Sequence, residues 1–74
     1  MKLVIITPQN SSTIDEVDIV TLPGIEGAFT VLRNHAPLIS AINKGDIRYN
    51  EQKIPIEKGV VEVKDDTITV ITDH

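Results

Sequence analysis

Seventy-four residues, 41% hydrophobic, 24% charged and 3% aromatic, make one small domain. At 8.1 kDa the chain exposes roughly 11,700 Å² unfolded and about 4,500 Å² folded, so its core is thin. Two domains, a nucleotide-binding βαβ unit and most enclosed active sites are excluded, and a net charge of −4 with singly scattered bases and almost no aromatics argues against nucleic acid.

The chain opens with Met1-Lys2-Leu3-Val4-Ile5-Ile6, and this apolar run stops at Thr7-Pro8. It is shorter than the roughly 7–15 residues of a signal-peptide core. No segment approaches the ~18 apolar residues of a membrane span, so an unexported chain without direct lipid insertion is expected, one that a partner can still hold at a membrane. There are no cysteines to supply disulfides or thiolate ligands.

Twelve Ile, eight Val and seven Thr bias the chain toward strands, because branched Cβ atoms restrict a helix but fit a pleated sheet. Alternation places strands near 2–7, 13–14, 17–22, 28–32, 38–42, 46–50, 53–57, 60–64 and 67–72. Turn signals separate them at Pro8-Gln9-Asn10-Ser11-Ser12, Pro23-Gly24, Asn34-His35, Lys44-Gly45, Asn50-Glu51-Gln52 and Asp65-Asp66. In the third segment Val17, Ile19 and Thr21 alternate with Asp18, Val20 and Leu22. Residues 34–45 fit a strand or a two-turn helix equally, with Pro37 near the helix start and Gly45 just past its end. Pro55 lacks a ladder donor and marks an edge or bulged strand. Strands 60–64 and 67–72 form the clearest hairpin, since Asp tolerates the positive φ of a two-residue loop. The fold class is all-β: a single flattened β-sandwich or barrel of about 8–10 short, mostly antiparallel strands.

No catalytic constellation is visible. His35 and His74 lie far apart, and neither sits in a metal-ligand spacing. Glu26 and Glu62 read as solvated charges, and Asp15-Glu16 with Asp18 as an acidic edge that discourages strand pairing. Gly24-Ile25-Glu26-Gly27 leads into a strand, not into the helix that a phosphate loop needs. Neither a cofactor nor a metal is expected. Lys64, beside Asp65-Asp66, permits one alternative: a lipoyl- or biotinyl-like carrier domain with a modifiable hairpin lysine. The flanking Val63 and Asp65 do not match the usual dipeptides of such carriers.

The run from Pro23 to Ile39, with Glu26-Gly27, a short apolar strand and His35-Ala36-Pro37-Leu38, resembles the N-terminal β-sandwich of the F-type ATP synthase epsilon subunit. Ser40 to Arg48, then Lys58 to Val63 and Thr67 to Ile71, are similar to that family's later strands and closing hairpin. Thr30 and Asn34 stand where the family often has Gly, Lys58 replaces one of a Gly pair, and Ala28 stands where some members have a carboxylate. The resemblance implies that residues 1–74 are one sandwich domain and that 37–45 is strand. It also implies a short form or the sandwich portion of a longer plan, because many members continue into a C-terminal helical hairpin.

By the same resemblance, the chain is a non-catalytic central-stalk component coupling ion-driven rotation of the c-subunit ring to the gamma subunit. Glu26, Gly27 and Ala28 would face the c-ring, and His35, Ala36, Pro37 and Leu38 would lie at the gamma contact. The implied place is peripheral, on the cytoplasmic face of an energy-transducing membrane. His35 is read as a hydrogen-bonding loop residue more readily than as a titrating switch.

Overall fold

A computed structural model describes residues 1–73; His74, weighed above as a metal ligand, lies outside the described residues. Nine strands follow one another: β1 (Lys2–Thr7), β2 (Asn10–Ile14), β3 (Ile19–Gly24), β4 (Gly27–Leu32), β5 (Leu38–Ile42), β6 (Gly45–Tyr49), β7 (Gln52–Ile56), β8 (Gly59–Lys64) and β9 (Thr67–Thr72). They form one sheet in the order β2-β1-β9-β8-β5-β3-β6-β7, with β4 paired to β3 outside that path. All pairings are antiparallel except β1 with β9. The described chain spans 27 × 27 × 22 Å between Cα atoms, and its accessible surface of 4841 Å² is close to the value expected from mass.

The sheet curls so that one set of alternating side chains meets in the middle. Leu3, Leu22, Ile42, Ile47, Ile68 and Val70 are fully buried there, with Val20, Val31 and Val61 between them. The alternation read in the last two strands places this set correctly: Val61 and Val63 face Val70 and Ile68 across the ladder. Thr72 is the one buried polar side chain among the described residues, and its hydroxyl is 3.1 Å from the Lys58 carbonyl and 3.4 Å from that of Glu57. This bond ties the β7–β8 connection to the end of β9.

Several turns follow from local chemistry. Asp65 and Asp66 hold φ of 51° and 61°, and Asn50 and Glu51 hold 45° and 63°, as two-residue hairpin loops demand. Asn34 takes φ 62°, a left-handed conformation that Asn adopts more readily than most residues other than Gly. Thr30 sits in regular strand, its hydroxyl 3.1 Å from that of Thr21 across the ladder. Pro55 lies on β7, which pairs only with β6 and is an edge, as proline requires.

Four local expectations are corrected. The helix alternative over 34–45 fails, because β5 pairs residue by residue with β8 from Leu38↔Val63 to Ile42↔Gly59. The Ser/Thr-rich stretch after Pro8 is mostly strand: only Pro8-Gln9 turns, and Thr7 Oγ1 accepts from the Asn10 N–H at 3.1 Å. Four of the five β2 residues are exposed, so their polarity disguised a strand as a loop. The third correction is at Pro23-Gly24, which continue β3, so that Ile25-Glu26 makes the turn. The face assignment in this segment also differs. Val17 is buried but Ile19 is exposed, because a bend at Glu16, with φ 59°, breaks the alternation before β3 begins.

Candidate functional site

The β3–β4 hairpin presents Ile25, Glu26, Gly27 and Ala28, all exposed. The closing pair is Gly24↔Gly27, and both positions require glycine. A Cβ on Gly24 would come within 2.6 Å of the Gly27 carbonyl oxygen and 2.8 Å of the Phe29 ring, whereas Gly27 takes φ 124°. Glu26 therefore projects from a loop whose path is set by two glycines, not by contacts of its own.

The second loop joins β4 to β5. Asp66 Oδ1 accepts from the Asn34 N–H at 3.4 Å, and the His35 N–H donates to the Leu32 carbonyl at 3.2 Å. His35 Nδ1 lies 2.7 Å from the Ala36 carbonyl, which can only accept, so this nitrogen carries the proton. His35 is thus an exposed, hydrogen-bonded loop residue. Ala36 and Pro37 are exposed, and Leu38 is half-buried as it enters β5. The Met1 amine, bonded to the Val17 carbonyl at 2.8 Å and 3.7 Å from Asp66 Oδ2, closes the same end.

The two loops stand at opposite ends of β4, roughly 17 Å apart for a strand of that length. They do not form one pocket. Among the described residues, no three His, Asp or Glu side chains gather into a metal site. The groove beside Phe29, lined by Glu26, Ser40 and Ala41, is a shallow feature of the surface. Lys64 is the last residue of β8, paired with Thr67; the hairpin tip, where a carrier displays its lysine, belongs to Asp65 and Asp66, one step beyond Lys64.

Between the loops lies a feature that residue-by-residue reading missed. The register Ala41↔Val60, Val60↔Ile71 and Ile71↔Ile6 runs one apolar row across β5, β8, β9 and β1 on the outward face. Val60 is 45% exposed, Ile71 55% and Ile6 36%, and Ile39 beside the row is 74% exposed. Its neighbour across the ladder is Glu62. A signal was present in the sequence: the doublets Ile5-Ile6, Val60-Val61 and Val70-Ile71 put one apolar side chain on each face of a strand. The row leaves apolar side chains of four neighbouring strands exposed side by side on one face.

With that geometry in place, the relatives are informative. Residues 1–74 match the family described as ATP synthase, Delta/Epsilon chain, beta-sandwich domain. The ATP synthase epsilon chain of Leptospira borgpetersenii is 42% identical over 74 residues, covering 95% of this chain and 58% of that protein. That of Dehalococcoides mccartyi is 36% identical over 77 residues, covering 99% and 55%. The chain spans little more than half the length of these relatives. Among solved structures, a chain of the Tetrahymena thermophila mitochondrial ATP synthase central stalk/c-ring superposes with a TM-score of 0.83 at 13% identity, over 99% of this chain and 63% of that one. A chain of the Euglena gracilis mitochondrial ATP synthase OSCP/F1/c-ring assembly does so at 0.83 and 20%, over 97% and 49%. At such identities these two likenesses speak to the fold alone.

Proposed function

The chain belongs to the ATP synthase delta/epsilon β-sandwich family, and from that premise we propose that residues 1–74 act as one non-catalytic module of the central stalk. In this reading the module passes rotation of the c-subunit ring to the gamma subunit, at the cytoplasmic face of an energy-transducing membrane. Torque transfer needs a stiff body with separate contacts and no active site. Stiffness comes from a core of branched Ile and Val side chains with few rotameric alternatives. Separate contacts come from the placement of the two loops at opposite ends of the same strands.

The observation that carries this reading is the Ala41–Val60–Ile71–Ile6 row with Ile39 beside it. The row starts at Ala41, toward the Ile42↔Gly24 end of β5, and Ile39 beside it adjoins Leu38, so in this reading gamma takes the row together with the His35–Leu38 loop at the other end of that strand. The hairpin Glu26–Ala28 is left for polar loops of the ring. Ala28 offers no carboxylate there, which leaves Glu26 as the charge of that contact.

Calorimetry with the gamma subunit tests the larger surface. Ile71→Asp places a charge where an apolar anchor would be desolvated, and affinity should fall at least ~10-fold, the size of a modest interface anchor. His35→Glu should weaken the same association. If both variants bind gamma as the parent does, neither the row nor the loop touches it. For the ring, a Glu26→Cys variant should crosslink to c-subunit loops in a coupled complex; absence of the product there removes the hairpin from that contact.

A further inference from the structure

Among the described residues three strands have a partner on one side only: β2 pairs only with β1, β7 only with β6, and β4 only with β3. Open edges invite another strand, and proteins blunt them with charges, proline or brevity. β7 carries Lys53 and Pro55, and β2 is five residues of mostly Ser, Thr and Asn. β4 has no such guard. Its six residues, Gly-Ala-Phe-Thr-Val-Leu, contain no charge and no proline. The outward pairs that it forms with β3 are Ile19–Leu32, Thr21–Thr30 and Pro23–Ala28, also uncharged, with Ile19 and Leu32 each 53% exposed.

We propose that this edge pairs with β4 of a second copy, antiparallel, about a two-fold axis at Thr30. An axis perpendicular to the sheet keeps each face on its own side, so Thr30 meets its own counterpart, Ala28 meets Leu32, and Phe29 meets Val31. No like charges stand opposite one another in that register. The ends select the direction. Glu26 precedes the strand and Arg33 follows it, so antiparallel pairing brings the Glu26 end of each copy to the Arg33 end of the other, Glu26 opposite Asn34 and Arg33 opposite Gly27, one position from each other and within reach of two long side chains. Parallel pairing would set like beside like. Arg33 already holds Asp18 at 2.8 Å, with both side chains largely exposed, so its guanidinium lies at the surface where a second carboxylate can reach it.

The pairing covers Glu26 and Ala28, the hairpin assigned above to the ring. A self-paired chain is therefore a reserve that cannot occupy the stalk, whereas the pairing itself does not depend on that assignment. Sedimentation velocity over roughly 5–500 μM, the range suited to a contact smaller than a standard interface, reads it out. The parent should dimerise, and Thr30→Lys, which faces two ammonium groups across the axis, should weaken the dimer roughly 10-fold. Glu26→Arg and Arg33→Glu should each weaken it roughly fivefold, and the double swap should restore it. Circular dichroism shows whether each variant keeps the parent fold, and the exposed swaps decide the matter if Thr30→Lys does not. A chain that stays monomeric throughout overturns the proposal, as does a dimer indifferent to the charge swaps, which would place the contact elsewhere, for instance on the Ile6–Ile71 row.

Discussion

Gly59 is where the close approach of two strands can be tested most sharply. It opens β8, opposite Thr72 on one side and Ile42 on the other. A Cβ added there would land on the Ile71 carbonyl oxygen and sit 3.1 Å from the Thr72 Cα and Cβ. These atoms belong to the neighbouring strand, so they cannot swing aside as the tip of a flexible side chain would. Gly59→Ala must push β8 and β9 apart at this end, at a cost of about 1–3 kcal/mol for overpacking. The displaced Thr72 also loses its hydroxyl bond to the Lys58 carbonyl, worth about 1 kcal/mol net. The sum, roughly 2–4 kcal/mol, is a large share of the ~4–11 kcal/mol that a domain of this size has. In melting terms each kcal/mol is about 6 °C here, so Tm should fall by roughly 12–25 °C. Urea denaturation followed by circular dichroism gives the free energy directly, and Thr72→Val separates the hydrogen-bond share at about 1 kcal/mol. Gly59→Ala within about 0.5 kcal/mol of the parent would refute the argument, because it would mean the strands are not held at that spacing.

Glu51 holds φ 63° in the β6–β7 turn without the side-chain hydrogen bonding that lets Asn and Asp rest there. Glu51→Gly should raise stability by about 0.5–1 kcal/mol, the left-handed penalty less the added chain entropy, and the same change at Asn50 should give less. An unchanged urea midpoint for Glu51→Gly would count against the turn geometry. Ile47 is fully buried at the centre of β6, and Ile47→Ala should cost about 2–5 kcal/mol in the same assay. Ile71→Asp, by contrast, should keep nearly the parental stability while losing gamma affinity, since Ile71 is already more than half exposed. A collapse of its fold would show the row to be part of the core and not a docking face.

Much of this architecture was legible along the chain. The excess of branched residues, the alternation at Val61-Val63 and Ile68-Val70, the Asp65-Asp66 turn and the edge position of Pro55 each rest on short-range sterics. The misreadings have a shared cause. Val17 and Ile19 satisfy a two-residue period as well as any pair, but the bend at Glu16 sends them to different sides. Pro23-Gly24 has the composition of a turn, yet the chain runs straight through it, because Gly24 is needed for the hairpin's close approach and Pro23 packs against Gly45, where an added Cβ would be 2.8 Å away. The candidate contact loops, named from the resemblance, already flanked the strand expected at 28–32, so their placement at its two ends was legible as well; the outward apolar row beside them was not.

The sequence by itself determined the class of fold, the strands and most of the turns, because these depend on φ, ψ and side-chain branching within a few residues. The tertiary structure alone decided which strands are neighbours, including the parallel pairing of β1 with β9, the first and last strands of the chain. That pairing carries the outward row from Val60 and Ile71 on to Ile6, and so joins four separate apolar residues into one surface. Cross-strand register is a long-range property: a one-residue slip would turn every outward side chain inward, and only burial of the opposite face holds it in place.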